Sequence, residues 1–419
     1  MHTINAMGTM SNRFITIIML FVVVFSVSFL NIPLQITTFG YDREKLIDED
    51  NYYNKDAGIK SNQLTSSNYR GYEYSLVSSS LIEDTQKIPK LNNTSTDSGN
   101  QSMTIREYPV PEGSRPHDVA PATSMLHVTS NVSNNLLKDI VWYTAQATGE
   151  LGKLNTTTGE TSHIFLGEGS APHGVIVGPD WAPWITDGGL NAIVRVDPFS
   201  ENLTVYPLPQ GMGYANLNTA TFDNNGTLWF TGQSGIYGRL FPSTGAMEIF
   251  DAPKGAGPYG ITTTPNGSVY FASLAGSYVG LIDTKTGEIT VLEPPTADQG
   301  ARRVWSDSDG KIWVSEWNSG KLGMYDPQMD LWKEWNLPGN NPKPYAVYVD
   351  TKDKVWISDF GSNSMYKFDP LNESWSKFDI PSLTANIRQI LGVEGEIWGA
   401  ESGADRLLLI KTNQSSITE

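Results

Sequence analysis

A seven-bladed β-propeller of four-stranded blades is the fold class the sequence predicts, and three observations predict it. A Trp-centred core recurs at the pitch of a propeller blade. Every recurrence carries the same order of strands and turns. The last unit lacks an outer strand, and an outer strand with no blade of its own stands ahead of the first unit.

The recurring core reads Trp142-Tyr-Thr, Trp184-Ile-Thr, Trp229-Phe-Thr, Tyr270-Phe-Ala, Trp313-Val-Ser, Trp356-Ile-Ser and Trp398-Gly-Ala, with successive spacings of 42, 45, 41, 43, 43 and 42 residues. Within a unit an apolar strand comes first, as in Gly260-Ile-Thr-Thr-Thr. A turn such as Asn225-Gly226, Asn266-Gly267 or Asp309-Gly310 leads into the Trp strand. A third strand ends in an apolar-Asp pair, as in Val196-Asp197, Ile282-Asp283, Tyr325-Asp326 and Phe368-Asp369. A second turn such as Thr286-Gly287 opens an outer strand that ends in Pro, as at Pro209, Pro338 and Pro381. The seventh unit stops at Leu409-Ile410-Lys411, and Met103 to Pro111 supplies its missing strand. That pairing closes the ring and protects edges that would otherwise be open. The aromatic and apolar repeat positions pack blade against blade and need no functional reading.

The propeller is expected over 102–411, with 412–419 a tail. Residues 39–101, rich in Ser, Asn, Asp, Thr and Lys and without periodicity, read as a disordered polar linker. Residues 1–38 read as a signal peptide or a membrane anchor. Phe14 to Leu30 is a nearly unbroken apolar run behind Arg13, and Ser26-Val-Ser28 is a weak cleavage motif. Either way the propeller is expected outside the cytoplasmic membrane, secreted or anchored. Ten sequons, at Asn92, Asn93, Asn100, Asn131, Asn155, Asn202, Asn225, Asn266, Asn372 and Asn413, are glycan acceptors in that setting or chance products of an Asn/Ser/Thr-rich chain.

Composition excludes several functions. The chain has 419 residues, a net charge of −16 and no Lys/Arg cluster, which disfavours nucleic acid. It has no cysteine, so disulfides, thiolate metal sites and cysteine nucleophiles are out. A monomeric propeller is expected.

Function in a propeller gathers where equivalent positions of all blades meet at the central channel. The turn before each first strand supplies His117, His173, Asn218, Tyr259, Arg302, Tyr345 and Arg388. Three residues after each Trp, or after Tyr270, stand Ala145, Asp187, Gly232, Ser273, Glu316, Asp359 and Glu401. Scaffold positions stay apolar, Gly or Pro, whereas these two rings carry His, Arg, Tyr and carboxylates. If both face one funnel, it could hold a polar ligand or a divalent cation. His117 and His173 sit in Pro-His turns of adjacent units, and imidazole suits proton abstraction. The alternative is that they plug the channel as Tyr259 and Tyr345 would. Glu316, Asp359 and Glu401 either surround a cation or pair with Arg302 and Arg388.

The blade grammar (Pro-x-Gly-Ile, Trp-Phe-Thr, Tyr-x-Leu-Pro) together with the Pro-His pair resembles the virginiamycin B lyase family over residues 103–411. The resemblance implies a carbon-oxygen lyase that opens a cyclic depsipeptide at its ester by elimination, with Mg²⁺. It assigns substrate contact to His117 and the general base to His173. The family's first metal-binding Glu falls on Ala171, which has no ligand atom, and the second falls near Asp187. A Mg²⁺ site is then expected from Asp187 with Glu401, with Asn218, Tyr259, Arg302, Tyr345 and Arg388 contacting ligand. The family carries its Pro-His pair in the last two blades, whereas here it lies in the first two. Three functions follow as alternatives: a lyase in which His173 takes a proton beside a carbonyl, a tethered non-catalytic module that captures a small molecule or peptide in the central funnel, and a structural propeller of an envelope assembly.

Overall fold

The computed structural model describes residues 94–96, 103–124 and 137–412. The apolar segment at 14–30, and the linker apart from Thr94–Thr96, lie outside the described residues. Among the described residues no helix is long and apolar enough to cross a membrane.

Seven antiparallel sheets form, one per repeat unit. Blades 1 to 6 span 116–165, 172–207, 217–251, 258–292, 301–336 and 344–379. The first strand of each is innermost and the fourth outermost. Blade 7 joins Ile387–Val393, Glu396–Glu401 and Arg406–Thr412 to the strand Met103–Pro109, which pairs with Arg406–Thr412 from Met103↔Thr412 to Pro109↔Arg406. The ring therefore closes as the sequence predicts. The innermost strands neighbour one another all the way round, blade 7 against blade 1 included. Burial falls outward: Pro116–Pro121 is buried throughout, while Leu203–Pro207 is mostly exposed.

Blade 7 differs from the expected four strands. Thr94–Thr96 pairs antiparallel with Met103–Ile105, so the closing sheet has five strands. The outer edge of the closing strand offers unpaired backbone groups, and the chain just before it satisfies them. The last strand also runs one residue further than expected, to Thr412.

The turn chemistry explains the repeated Asp and Trp. Asp223, Asp307 and Asp350 each accept the indole N–H of the Trp six residues on, at 3.1, 2.9 and 2.9 Å. The other oxygen of each takes two amides of the intervening turn. Gly226 and Gly310 sit in those turns at φ +79° and +83°, where a side chain is strained. The apolar-Asp pairs close the second turn likewise: Asp197, Asp283 and Asp326 accept the amides two and three residues later.

Candidate functional site

The channel is built by a defect repeated in every blade. Each innermost strand shifts register by one residue against its neighbour, between Pro116 and Val119 in blade 1 and at the equivalent place in the other six. A bulge of one extra residue breaks the alternation of side chains. Two consecutive residues, 117 and 118 or 302 and 303, can then both turn toward the axis.

The hydroxyl two residues after the repeated Trp holds the bulge. Thr144 Oγ1 accepts the Asp118 amide at 2.9 Å and donates to the His173 carbonyl of the next blade at 2.8 Å. Thr186 does the same for Gly174 and Asn218, Thr231 for Thr219 and Tyr259, and Ser315 for Arg303 and Tyr345. Ser358 bonds Ala346 and Ile387 in the same way. The Thr or Ser of the repeat thus fixes ring residues of two blades at once. Thr144→Val is expected to cost about 1–3 kcal/mol, because it strands one buried donor and one buried acceptor. Urea unfolding checks this, and an unchanged midpoint would refute it.

The first ring converges as predicted. The His117 and His173 ring centroids lie 3.7 Å apart at 46°. His117 Nδ1 is 2.8 Å from Asp118 Oδ1, which also accepts Arg303 Nη2 at 3.1 Å. Arg303 comes from blade 5 and crosses the channel, and its Nη1 donates to Thr219 Oγ1 at 2.5 Å. Thr219 Oγ1 donates to Asn218 Oδ1 at 2.7 Å, which orients the amide so that Asn218 Nδ2 faces His173 Nε2 at 3.1 Å. This network assigns the His173 lone pair to Nε2, where it accepts from Asn218, and gives His117 an Nδ1–H for the Asp118 carboxylate. On the other side, Tyr259 and Tyr345 share a hydroxyl contact of 2.5 Å. Arg302 donates to the Tyr259 hydroxyl at 3.1 Å and lies 3.7 Å from the Tyr345 ring centroid. Arg388 reaches the Tyr345 hydroxyl at 3.3 Å and Ser402 Oγ at 2.9 Å. His117 is 0% and His173 1% exposed, so the ring is a plug rather than an open wall.

The second ring does not face the channel, which corrects the expectation of one funnel lined by both. Asp187 accepts Ser170 Oγ at 2.5 Å, the Ala171 amide at 3.0 Å and the Leu190 amide at 2.9 Å. Asp359 accepts the Lys343, Gly361 and Ser362 amides. Glu316 turns outward along its blade: a Cβ at Gly323 of the third strand would stand 2.6 Å from Glu316 Oε1. These side chains tie the turn after the Trp strand to its surroundings, because backbone donors cluster there. Salt bridges with Arg302 and Arg388 are not among their contacts.

Asp187 and Glu401 share no partner. Burial raises the Asp187 pKa against its hydrogen bonds, and burial, with Glu107 nearby, pushes Glu401 up to about 8. Asp187 is taken up by three donors, whereas both Glu401 oxygens are buried without a hydrogen-bond partner. With Ala171 lacking a ligand atom and Asp187 already engaged, the donor set expected for Mg²⁺ is incomplete. His117, Asp118 and His173 do place ligand atoms within 4.8 Å of one another, a grouping the sequence reading did not make. The Arg303 guanidinium already occupies the Asp118 carboxylate there.

Two concavities flank the plug. On the face where the innermost strands begin, a cleft of 420 Å³ lies between blades 7 and 1, lined by Arg115, Gln146, Arg388, Ser402 and Asp405. On the face where they end, a funnel of 540 Å³ descends to Thr219, Arg303 and Gln389. Asp118, Thr219 and Arg303 were missed from sequence. The only hint was that each follows a ring residue.

Comparison with known proteins agrees with this fold. The chain is 27% identical over 210 residues to a virginiamycin B lyase of Nocardia farcinica, a match that covers 49% of this chain and 69% of the relative. A solved streptogramin B lyase structure superposes with a TM-score of 0.64 at 20% identity, covering 74% of this chain and 98% of the other. So does a catalytically inactive virginiamycin B lyase from Staphylococcus aureus with quinupristin, at TM-score 0.64, 21% identity, and 74% and 99% coverage. These structures share the fold. Residues 129–356, more than half of the chain, match the model of the virginiamycin B lyase family. With its Trp-centred blades, its ring closure and its adjacent Pro-His turns, the chain belongs to the virginiamycin B lyase family.

Proposed function

We propose that this chain is a ligand-binding propeller that works outside the cytoplasmic membrane, tethered by its N-terminal apolar segment, and that it does not turn its ligand over. One observation carries the reading: both histidines are sealed in the plug with a ring nitrogen engaged by Asn218 or Asp118. A general base must come within hydrogen-bond reach of the proton it removes. Asp187, one of the two carboxylates expected to hold Mg²⁺, is committed to the Ser170 hydroxyl and to two backbone amides. A small molecule or peptide entering the channel from either face meets donors and aromatic rings instead. The 0.64 superposition on a lyase that carries quinupristin makes a cyclic peptide the first ligand to test.

A second reading has its own support. The His117–Asp118 pair, braced by Arg303, has the layout of a base oriented by a carboxylate, and elimination on an ester-containing or cyclic peptide is what family membership suggests. The full chain, incubated with quinupristin with and without Mg²⁺ and followed by mass spectrometry for the ring-opened product, separates the two. No opening in either condition is the expected result. Opening that disappears in His117→Ala or His173→Ala would replace the binding reading with the lyase.

A further inference from the structure

We infer that the 540 Å³ funnel, on the face opposite the Pro-His turns, is a site for a small carboxylate with a flat apolar body. Its carboxylate would sit on Arg303 and its body against Trp305 and Tyr348. The inference rests on the binding reading above and names the mouth and the ligand class.

The volume suits a small organic ligand. The wall is made by the second halves of the innermost strands, beyond the bulges, where alternation resumes. Trp305 and Tyr348, from neighbouring blades, have ring centroids 5.1 Å apart at 58°, and Trp305 is only partly buried. Ile176 and Leu391 extend the apolar lining, and Thr221 and Thr263 hydroxyls meet at 3.1 Å near the mouth. Such a wall accepts a planar body without demanding a hydrogen bond from each of its atoms.

The floor is different. Arg303 is 3% exposed, both of its terminal nitrogens are used by Asp118 and Thr219, and its buried Nε has no hydrogen-bond partner. A buried donor of a charged group left unsatisfied is costly, and an acceptor entering from the funnel would relieve it. The acceptor would be anionic on charge grounds. Among the described residues, the seven first-ring positions and those directly after them hold three guanidiniums, Arg302, Arg303 and Arg388, and one carboxylate, Asp118. The one acid on the funnel wall, Asp223, already accepts two turn amides and the Trp229 indole. An anion there meets a local field opposite in sign to the chain's net charge of −16.

The test titrates the full chain with indole-3-acetate by calorimetry, with neutral indole-3-acetamide alongside. Saturable binding of the acid, about tenfold weaker binding of the amide, and loss of binding in Thr263→Trp, which fills the mouth, are expected. Arg303→Gln alone strands Asp118, so the charge variant is Arg303→Gln with Asp118→Asn. It should keep a cooperative unfolding transition and lose the preference for the acid. No saturable binding at millimolar acid, equal affinity for acid and amide, or full binding in Thr263→Trp would each overturn the inference. Depsipeptide opening alongside an unchanged acid titration would sink the binding reading alone, because the funnel and the Pro-His turns lie on opposite faces of the plug.

Discussion

Deleting residues 103–109 from the full chain is expected to abolish its cooperative unfolding transition and to drive it into oligomers. This strand is distant in sequence from its partner, yet Met103, Ile105 and Tyr108 are buried and Tyr108 packs 5.6 Å from Trp398. Each such side chain contributes roughly 1.5–3 kcal/mol on burial, so the strand carries on the order of 5–9 kcal/mol. That matches the whole stability of an ordinary domain. The loss exceeds the side-chain sum, because Arg406–Thr412 becomes an open edge with Leu407, Leu408, Leu409 and Ile410 uncovered on one flank. The other blades cannot supply this strand, because each already pairs its own fourth strand. Size-exclusion chromatography and chemical denaturation decide the matter. A monomer that still unfolds in one sharp step would show that Met103–Pro109 decorates the ring rather than closing it.

How much of this was legible before the structure depends on the kind of periodicity. Blade number, the inward order of strands and the displaced closing strand follow from a repeat whose pitch is set by chain geometry. The first ring was legible for the same reason: His117, His173, Asn218, Tyr259, Arg302, Tyr345 and Arg388 stand at one place in seven copies, and a rotational repeat brings such places together. The second ring misled because the same logic was applied at the end of the Trp strand. Equivalent positions share a direction, but that direction is set by local donors. For Asp187 and Asp359 these are turn amides, and for Glu316 it is the open space above Gly323. The layer of Asp118, Thr219 and Arg303 was illegible for another reason. A strand read with period two sends the residue after a ring residue away from the channel, and a bulge reverses this with no residue type to announce it. The Thr or Ser after the Trp was in plain view as part of the repeat. Its role appears only when its two partners, one in its own blade and one in the next, are seen together.

The buried carboxyls Glu316 and Glu401 are expected to make this protein more stable at pH 5 than at pH 8. Both are 0% exposed. Burial is the largest cause that raises each from an ordinary 4.5 to about 8. Glu334 and Glu107 add repulsion, and Ser319 opposes the rise at Glu316. Between those two values the folded chain keeps protons that the unfolded chain releases. The stabilisation is therefore complete below the unfolded value and is lost as pH climbs through the folded one. The slope is about 1.4 kcal/mol per pH unit for each fully shifted group, so the two together remove on the order of 4–8 kcal/mol from pH 5 to pH 8. The exposed aspartates with lowered values, Asp197 and Asp283 among them, act in the opposite sense only at lower pH. Replacing both acids, Glu316→Gln with Glu401→Gln, keeps shape and a hydrogen-bonding group but removes the proton equilibrium. The double variant should match the parent at pH 5, exceed it clearly at pH 8, and lose most of the pH slope in guanidinium midpoints. A parent midpoint that is flat or rises from pH 5 to pH 8 would mean that the two carboxyls ionise inside the fold. The second ring would then carry negative charge after all, and a cation site at Glu401 would again be worth testing.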